Sequence, residues 1–242
     1  MPNNSQYTKN SLTKNPSKKP QLTQKSKTTQ NSDSPQAFAE IIESSLQDWK
    51  AQCWQWDKFP SFGSIVTIQS NNKIIYGIVH QVQMGSMDSS RYPFAYQKTE
   101  DELLREQPQI FEFLKTTFSC ITIGYKHKSK IYYLLSPTPP KIHSFVRYAS
   151  QSEARQFFAS TNYLHLLFGL SGQIFNLEEL LLAMINYQVT LNIFSPETIQ
   201  EKINNFIETF SLLAGNDYRR LKLFLQRVEP LLKTNTNRDI HV

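Results

Sequence analysis

Between Phe62 and Val82 the apolar residues fall into two short blocks, Phe62–Gln69 and Ile74–Val82, separated by Ser70-Asn71-Asn72-Lys73. β-Branched and aromatic side chains dominate both blocks and fit a pleated sheet. Asparagine tolerates the positive φ of a tight turn, so the pattern predicts an antiparallel hairpin hinged at Asn71-Asn72. Before it, Trp49, Ala51 and Cys53 alternate with Lys50 and Gln52, which predicts a strand running towards the Asp57-Lys58-Phe59-Pro60 turn. Residues 36–48 support two readings. Ser34-Pro35 could start a helix with Phe38, Ile41, Ile42 and Leu46 on one face, yet Ala37–Ser44 would serve equally as a strand. Strand character returns in Ser119–Tyr125 and Lys130–Leu135, on either side of the polar turn Lys126-His127-Lys128-Ser129. Pro137, Pro139 and Pro140 exclude regular pairing, and Ile142–Tyr148 reads as a last edge segment.

Between the fourth and fifth strands the period changes. Thr99 and Glu102 stand at capping-box spacing, and Leu103, Leu104, Ile110, Phe111 and Leu114 form an apolar stripe. Pro108 lacks an amide hydrogen and should break the segment near Gln107, so two short helices are expected, over about 100–106 and 108–117. From Ser150 onward apolar residues recur at three- and four-residue spacing. Phe157, Phe158, Leu164 and Leu167 mark the first segment. Asn176 caps the second, Ser195-Pro196 starts the third, and Gly215 ends it before Asp217 caps a fourth. The predicted fold class is α+β: a small antiparallel β-barrel over 36–148 with an inserted helical segment, then a C-terminal helical bundle over 149–233 and a flexible tail over 234–242.

The formal charge of +6 is unevenly placed. Residues 1–35 hold Lys9, Lys14, Lys18, Lys19, Lys25 and Lys27 against Asp33 alone, leaving 20 basic and 19 acidic groups for the rest of the chain. This N-terminal stretch is Ser, Thr, Asn, Gln, Lys and Pro with almost no apolar content, the composition of a disordered basic arm. Its lysines are candidate nucleic-acid contacts, whereas the near-neutral body argues against a general nucleic-acid platform. Cys53 and Cys120 are isolated, without metal-ligand or CxxC spacing, and suit a reducing compartment. With no secretory h-region and no run of about 20 apolar residues, the expected location is cytoplasmic, away from the membrane.

The segment from Ile41 to Val146 resembles the HAS barrel, the small barrel of HerA-type DNA translocases and ATP synthase subunits. The likeness is carried by Ile41-Ile42-Glu43-Ser44-Ser45, Phe59-Pro60-Ser61-Phe62-Gly63-Ser64-Ile65-Val66, Tyr76-Gly77-Ile78-Val79, Glu106-Gln107-Pro108-Gln109 and Ile123-Gly124-Tyr125. In that family the first segment is a strand, which tips residues 36–48 towards β. Asn216-Asp217-Tyr218-Arg219-Arg220-Leu221-Lys222 looks like part of a bundle appended in stand-alone relatives. Family members that hydrolyse nucleotides carry a P-loop after the barrel. Here none of the seven glycines is followed by lysine, so no cradle for a triphosphate is expected. What the resemblance implies is a role in assembly.

No catalytic, cofactor or metal constellation stands out. The histidines at 80, 127, 143, 165 and 241 lack metal-ligand spacing, and His80 and His165 read as structural. No G-x-S-x-G elbow is present. Glu100-Asp101-Glu102 is explained by a helix N-terminus, and Arg219, Arg220, Lys222 and Arg227 read as a solvated helix flank. The loop from Gly85 to Thr99 concentrates Arg91, Tyr92, Phe94, Tyr96 and Lys98, residue types enriched at interaction hot spots. They are the candidate partner-binding residues, although Phe94 and Tyr96 could instead close one barrel mouth. The expected function is a non-catalytic assembly or adaptor protein, not an enzyme, acting on a ring ATPase or on copies of itself. The alternative is a nucleic-acid-associated protein tethered by the lysine arm.

Overall fold

Six strands close into a ring, and the register shows how. A computed structural model of the chain describes residues 36–88, 90, 93–193, 196–215 and 217–236. Its strands are β1 (Ala37–Ser44), β2 (Asp48–Cys53), β3 (Ile65–Ser70), β4 (Lys73–Ser86), β5 (Leu114–His127), β6 (Lys130–Tyr132) and β7 (Phe145–Tyr148). Every pairing is antiparallel, in the order β1–β2–β5–β4–β3–β7 with β7 returning to β1. The remaining strand, β6, pairs with the far end of β5. Closure leaves the ring without open edges, a common answer to the hazard of unpaired strands.

The hairpin expected at Asn71-Asn72 joins β3 to β4, with Ser70 opposite Lys73 and Asn71 at a φ of 51°. Residues 37–44 are strand, as the resemblance suggested. They pair with β2 on one side and β7 on the other, and a helix there would leave the ring open. Two expectations fail. Ile142–Tyr148, read as an edge segment, is no edge, because β7 pairs with β1 on one side and β3 on the other and so closes the ring. The second inserted helix does not reach residue 117, because Leu114–Thr117 belong to β5 and pair with Gln83–Ser86. Thr116 and Thr117 are β-branched, and a continuous ladder satisfies their backbone groups better than a last helical turn.

The helices are α1 (Glu100–Glu106), α2 (Gln109–Glu112), α3 (Gln151–Phe157), α4 (Tyr163–Gly169), α5 (Leu177–Thr190), α6 (Pro196–Leu213) and α7 (Tyr218–Thr236). Thr99 and Glu102 form the expected capping box, and Ser150 with Glu153 forms another at α3. The Asn176 and Asp217 side chains accept from Glu179 N and Arg220 N. The last helix runs through Thr236.

The described residues form one compact unit, and strand alternation explains why. Val66, Ile68, Val79 and Cys120 point into the ring, where they meet Trp49 and Phe118. Their neighbours Ile65, Tyr76, Ile78, Ile121 and Ile123 point the other way and share a core with Phe157, Leu164, Leu180 and Phe210 of the helices. The β3–β4–β5 wall is therefore buried on both faces. Two glycines permit this closeness. A Cβ at Gly77 would lie 2.5 Å from the Trp49 ring inside the barrel. Gly63 has a φ of +81°, and a Cβ there would lie 2.6 Å from Ala183 Cβ on α5.

Polar contacts join the same surfaces. Arg147 on β7 donates two parallel hydrogen bonds of 2.7 Å to the Glu153 carboxylate on α3. The Tyr133 hydroxyl donates to the Phe157 carbonyl at 2.6 Å. Burial alone would raise the Glu153 carboxyl, but hydrogen bonds from Arg147 and Ser150, with the guanidinium charge, hold it down at about 2.

Two outcomes are expected. Phe157→Ala should cost about 3–5 kcal/mol, and barrel tryptophan fluorescence and helical circular dichroism should lose structure in one transition. Two separated transitions would show that barrel and helices are independent. Glu153 is depressed from 4.5, so its contribution is complete above that pH and is lost as pH falls towards 2. Glu153→Gln should cost about 2 kcal/mol at neutral pH and shrink the loss of melting temperature between pH 5 and 2. An unchanged acid limb would remove Glu153 from the account.

Candidate functional site

Aromatic residues at the barrel surface form groupings in three places, while the strongly exposed Phe175 and Tyr218 stand apart on the helical part. The first is the insertion between β4 and β5. Met87 N donates to the Phe113 carbonyl at 2.7 Å and closes its base, and Trp56 stacks on Phe111 with centroids 5.5 Å apart. Neither α1 nor α2 buries a residue, so the insertion is a surface feature. Of the residues singled out in its loop, Arg91 and Tyr92 lie outside the described residues. Phe94 is 68% exposed, with its ring 4.3 Å from that of Tyr96. Lys98 forms an ion pair with Glu106 of α1. Phe94 and Tyr96 belong to neither hydrophobic core, so they do not plug the barrel.

The second place is the outer surface around β1, and it was missed by the sequence reading. Trp54 follows β2 and donates its backbone N–H to the Phe38 carbonyl at 3.0 Å. Its ring meets that of Phe145 edge to face, with centroids 5.5 Å apart. They remain 51% and 60% exposed. Phe145 lies opposite Glu40 in register, and Glu40 pairs with His143. Ile42 continues along β1, and Ile142 lies on the loop whose His143 N donates to the Ile41 carbonyl; both are exposed. The outcome is an apolar strip bordered by the hydrogen-bonded Glu40–His143 pair. Period-two alternation put Trp54 on the polar side of β2, but only the β1–β7 pairing brings Phe145 beside it.

The third place is the end of β4, β5 and β6. Tyr125 lies opposite Tyr132, and His127 lies opposite both Lys73 and Lys130. The two tyrosine rings stack, with centroids 5.1 Å apart and planes inclined by 14°. Lys73 Nζ sits 5.3 Å from the Tyr125 centroid, and Lys130 Nζ 5.3 Å from that of Tyr132. The signal in the sequence was the Lys126–Lys130 run between two tyrosines. It reads as an ordinary polar turn until register adds Lys73.

Other expected features take definite positions. The arm lysines at 9, 14, 18, 19, 25 and 27 lie outside the described residues, as does His241. His80 is half-buried, and burial lowers its pKa against the opposing pull of Asp48. His165, read as structural, is instead exposed on α4. The basic run on α7 is more than a solvated flank, since Arg220 pairs with Glu178 and Arg227 with Glu179 of α5. Both cysteines are free and buried. Although β2 and β5 are neighbours, Cys120 faces Trp49 in their register, and burial pushes the Cys53 thiol up to about 12. Among the described residues no three His, Cys, Asp or Glu side chains converge as a metal site, and no helix is long and apolar enough to cross a membrane. An apolar groove of about 80 Å³ lies between α5, α6 and α7, with Lys202 the one charged lining residue among the described residues.

No protein-family model and no curated protein matches the chain. The closed antiparallel ring is compatible with a small barrel domain.

The exposure of Phe94 has a direct consequence. Phe94→Ala should change folding stability by no more than about 0.5 kcal/mol, measured by denaturant titration. A loss of about 2 kcal/mol or more would mean that the loop packs on the body after all.

Proposed function

We propose that this chain is a non-catalytic assembly or adaptor protein whose barrel mediates protein–protein contacts. The observation that carries the reading is the exposed Trp54–Phe145 pair on the outer face of the ring. Aromatic side chains that keep half or more of their surface in water, set beside further exposed apolar residues, mark an interaction surface. Tryptophan also supplies a large contact area at low entropic cost and is enriched at binding hot spots. The Glu40–His143 pair gives the strip a polar border, the usual anatomy of an interface rim.

The resemblance to the HAS barrel supports the same reading and suggests the partner: a ring ATPase, or copies of the chain itself. The strip lies on paired strands of the closed ring rather than on a free loop, which supports association with little ordering. A second reading rests on the six lysines and single acid of residues 1–35. In it the arm tethers the chain to nucleic acid, with affinity that falls steeply as salt rises.

The test is a complex recovered from the native cell after nuclease treatment, then rebuilt from purified components. Trp54→Ser with Phe145→Ser should weaken the rebuilt complex about thirtyfold or more, with little change in melting temperature because both rings are half-exposed. Binding unaffected by the double substitution would reject this surface. A complex lost on nuclease treatment, or on replacing the six arm lysines, would put the tether reading first.

A further inference from the structure

The β4–β5–β6 end of the barrel orders charge and aromatic surface in two parallel rows. Beyond Ile121, β5 leaves β2 and takes β6 as its neighbour. Three strands then present one face. Lys73, His127 and Lys130 form one cross-strand row; Ile75, Tyr125 and Tyr132 form the next. The rows are two residues apart along each strand, about 7 Å, and the strands themselves are about 4.8 Å apart. Lys73 and Lys130 thus flank the cationic row, while the stacked tyrosines lie alongside.

Among the described residues nothing neutralises this face. The sequence has no acidic residue between Asp57 and Asp88, nor between Glu112 and Glu153, so the strands that build it carry only cations and neutral groups. Lys73, Lys128 and Lys130 have no acidic partner among the described residues. Lys128 stands on the turn itself, at a φ of 55°. Lys126 alternates to the other face and donates to Gln156 at 2.9 Å. The near-neutral balance of the body therefore conceals a local segregation of charge.

We propose that this face binds single-stranded nucleic acid, with phosphates along the lysine row and bases against the tyrosines. A single strand has a charged edge and an edge of planar rings, and this pair of rows has the same polarity. Stacking of bases on aromatic side chains tolerates any sequence, and lysines supply the backbone contact. At present each ammonium rests over a tyrosine, a cation–π contact of modest strength at an exposed site; a bound strand replaces it with a phosphate and a base. A duplex would satisfy the lysines but hide its bases. An acidic peptide would satisfy the lysines and leave the rings unused. This surface is separate from the Trp54–Phe145 strip, and the proposal stands or falls independently of the adaptor reading.

Fluorescence anisotropy of the full chain decides it, using a labelled oligothymidylate of about twelve nucleotides across a salt series. The six arm lysines are replaced by glutamine throughout, so that the arm cannot supply the affinity. The arm-neutral chain is expected to bind, and to prefer the oligonucleotide over a duplex of equal length and over polyglutamate. Lys73→Glu with Lys130→Glu should lower affinity about tenfold or more and make the salt slope shallower by about 1.4. Tyr125→Leu with Tyr132→Leu should lower affinity about tenfold and leave the slope unchanged. Circular dichroism confirms folding, and Tyr132→Leu alone carries the stacking test where the leucine pair does not fold. Loss of all binding on neutralising the arm would overturn the proposal. So would equal competition by duplex or polyglutamate, or indifference to the lysine pair.

Discussion

Burial of one sheet wall on both faces is the constraint on which the rest of the protein depends. A small ring of six strands has room for few side chains, and Trp49 takes much of that room only because position 77 is glycine. Such a core alone buries modest apolar area, and small domains are correspondingly marginal. The helices extend it. Ile65, Tyr76, Ile78 and Ile123 would expose a bare apolar face without them, and the helices would lose the wall against which Phe157, Leu164 and Leu180 are buried. Tyr76 and Phe157, with centroids 4.6 Å apart, are the clearest single contact across that boundary. Burial is the larger part of the stabilisation; the Arg147–Glu153 pair adds orientation, fixing how β7 meets α3.

The same wall decides where interaction surfaces can lie. With one face turned to the helices and the other to the barrel interior, β3, β4 and β5 offer little of their central length to a partner. What remains exposed is the outer side of β1 and β7, and the two ends of the long β4–β5 ladder. One end carries the insertion with α1 and α2; the other carries β6. Each candidate surface sits at one of these places. The aromatic strip is apolar with a thin polar border, and the tyrosine–lysine face is cationic without acids. Chemistry as well as position therefore separates a surface suited to protein from one suited to a polyanion.

Much of the architecture was legible in residue pattern alone. The β3–β4 hairpin followed from β-branched blocks around Asn71-Asn72, and the capping box at Thr99 from its spacing to Glu102. The onset of helices after Ser150 followed from the change in period. Residues 37–44 were not decidable locally, because helix and strand patterns coincide over eight residues; pairing with two neighbours settles the matter. Leu114–Thr117 misled because the apolar stripe of the insertion ends on Leu114, where the ladder already begins. The surfaces were least legible. Phe145 and Trp54 are far apart in sequence, and Lys73 is distant from Tyr125 and Lys130. Only register joins them, and register is a property of the closed ring that no local run encodes. Arg91 and Tyr92 drew attention because they are adjacent in the chain, which is the kind of proximity a sequence displays.

The most direct test of the central claim, that the outer face around β1 and β7 is a protein interface, is amide hydrogen exchange on the free chain and on its complex from the native cell. Association through the aromatic strip should slow exchange at residues 40–43, 54–56 and 142–145, leaving the β4–β5 ladder as protected as before. Protection gained only elsewhere, at the insertion or across α6 and α7, would contradict the account and move the interface to that surface.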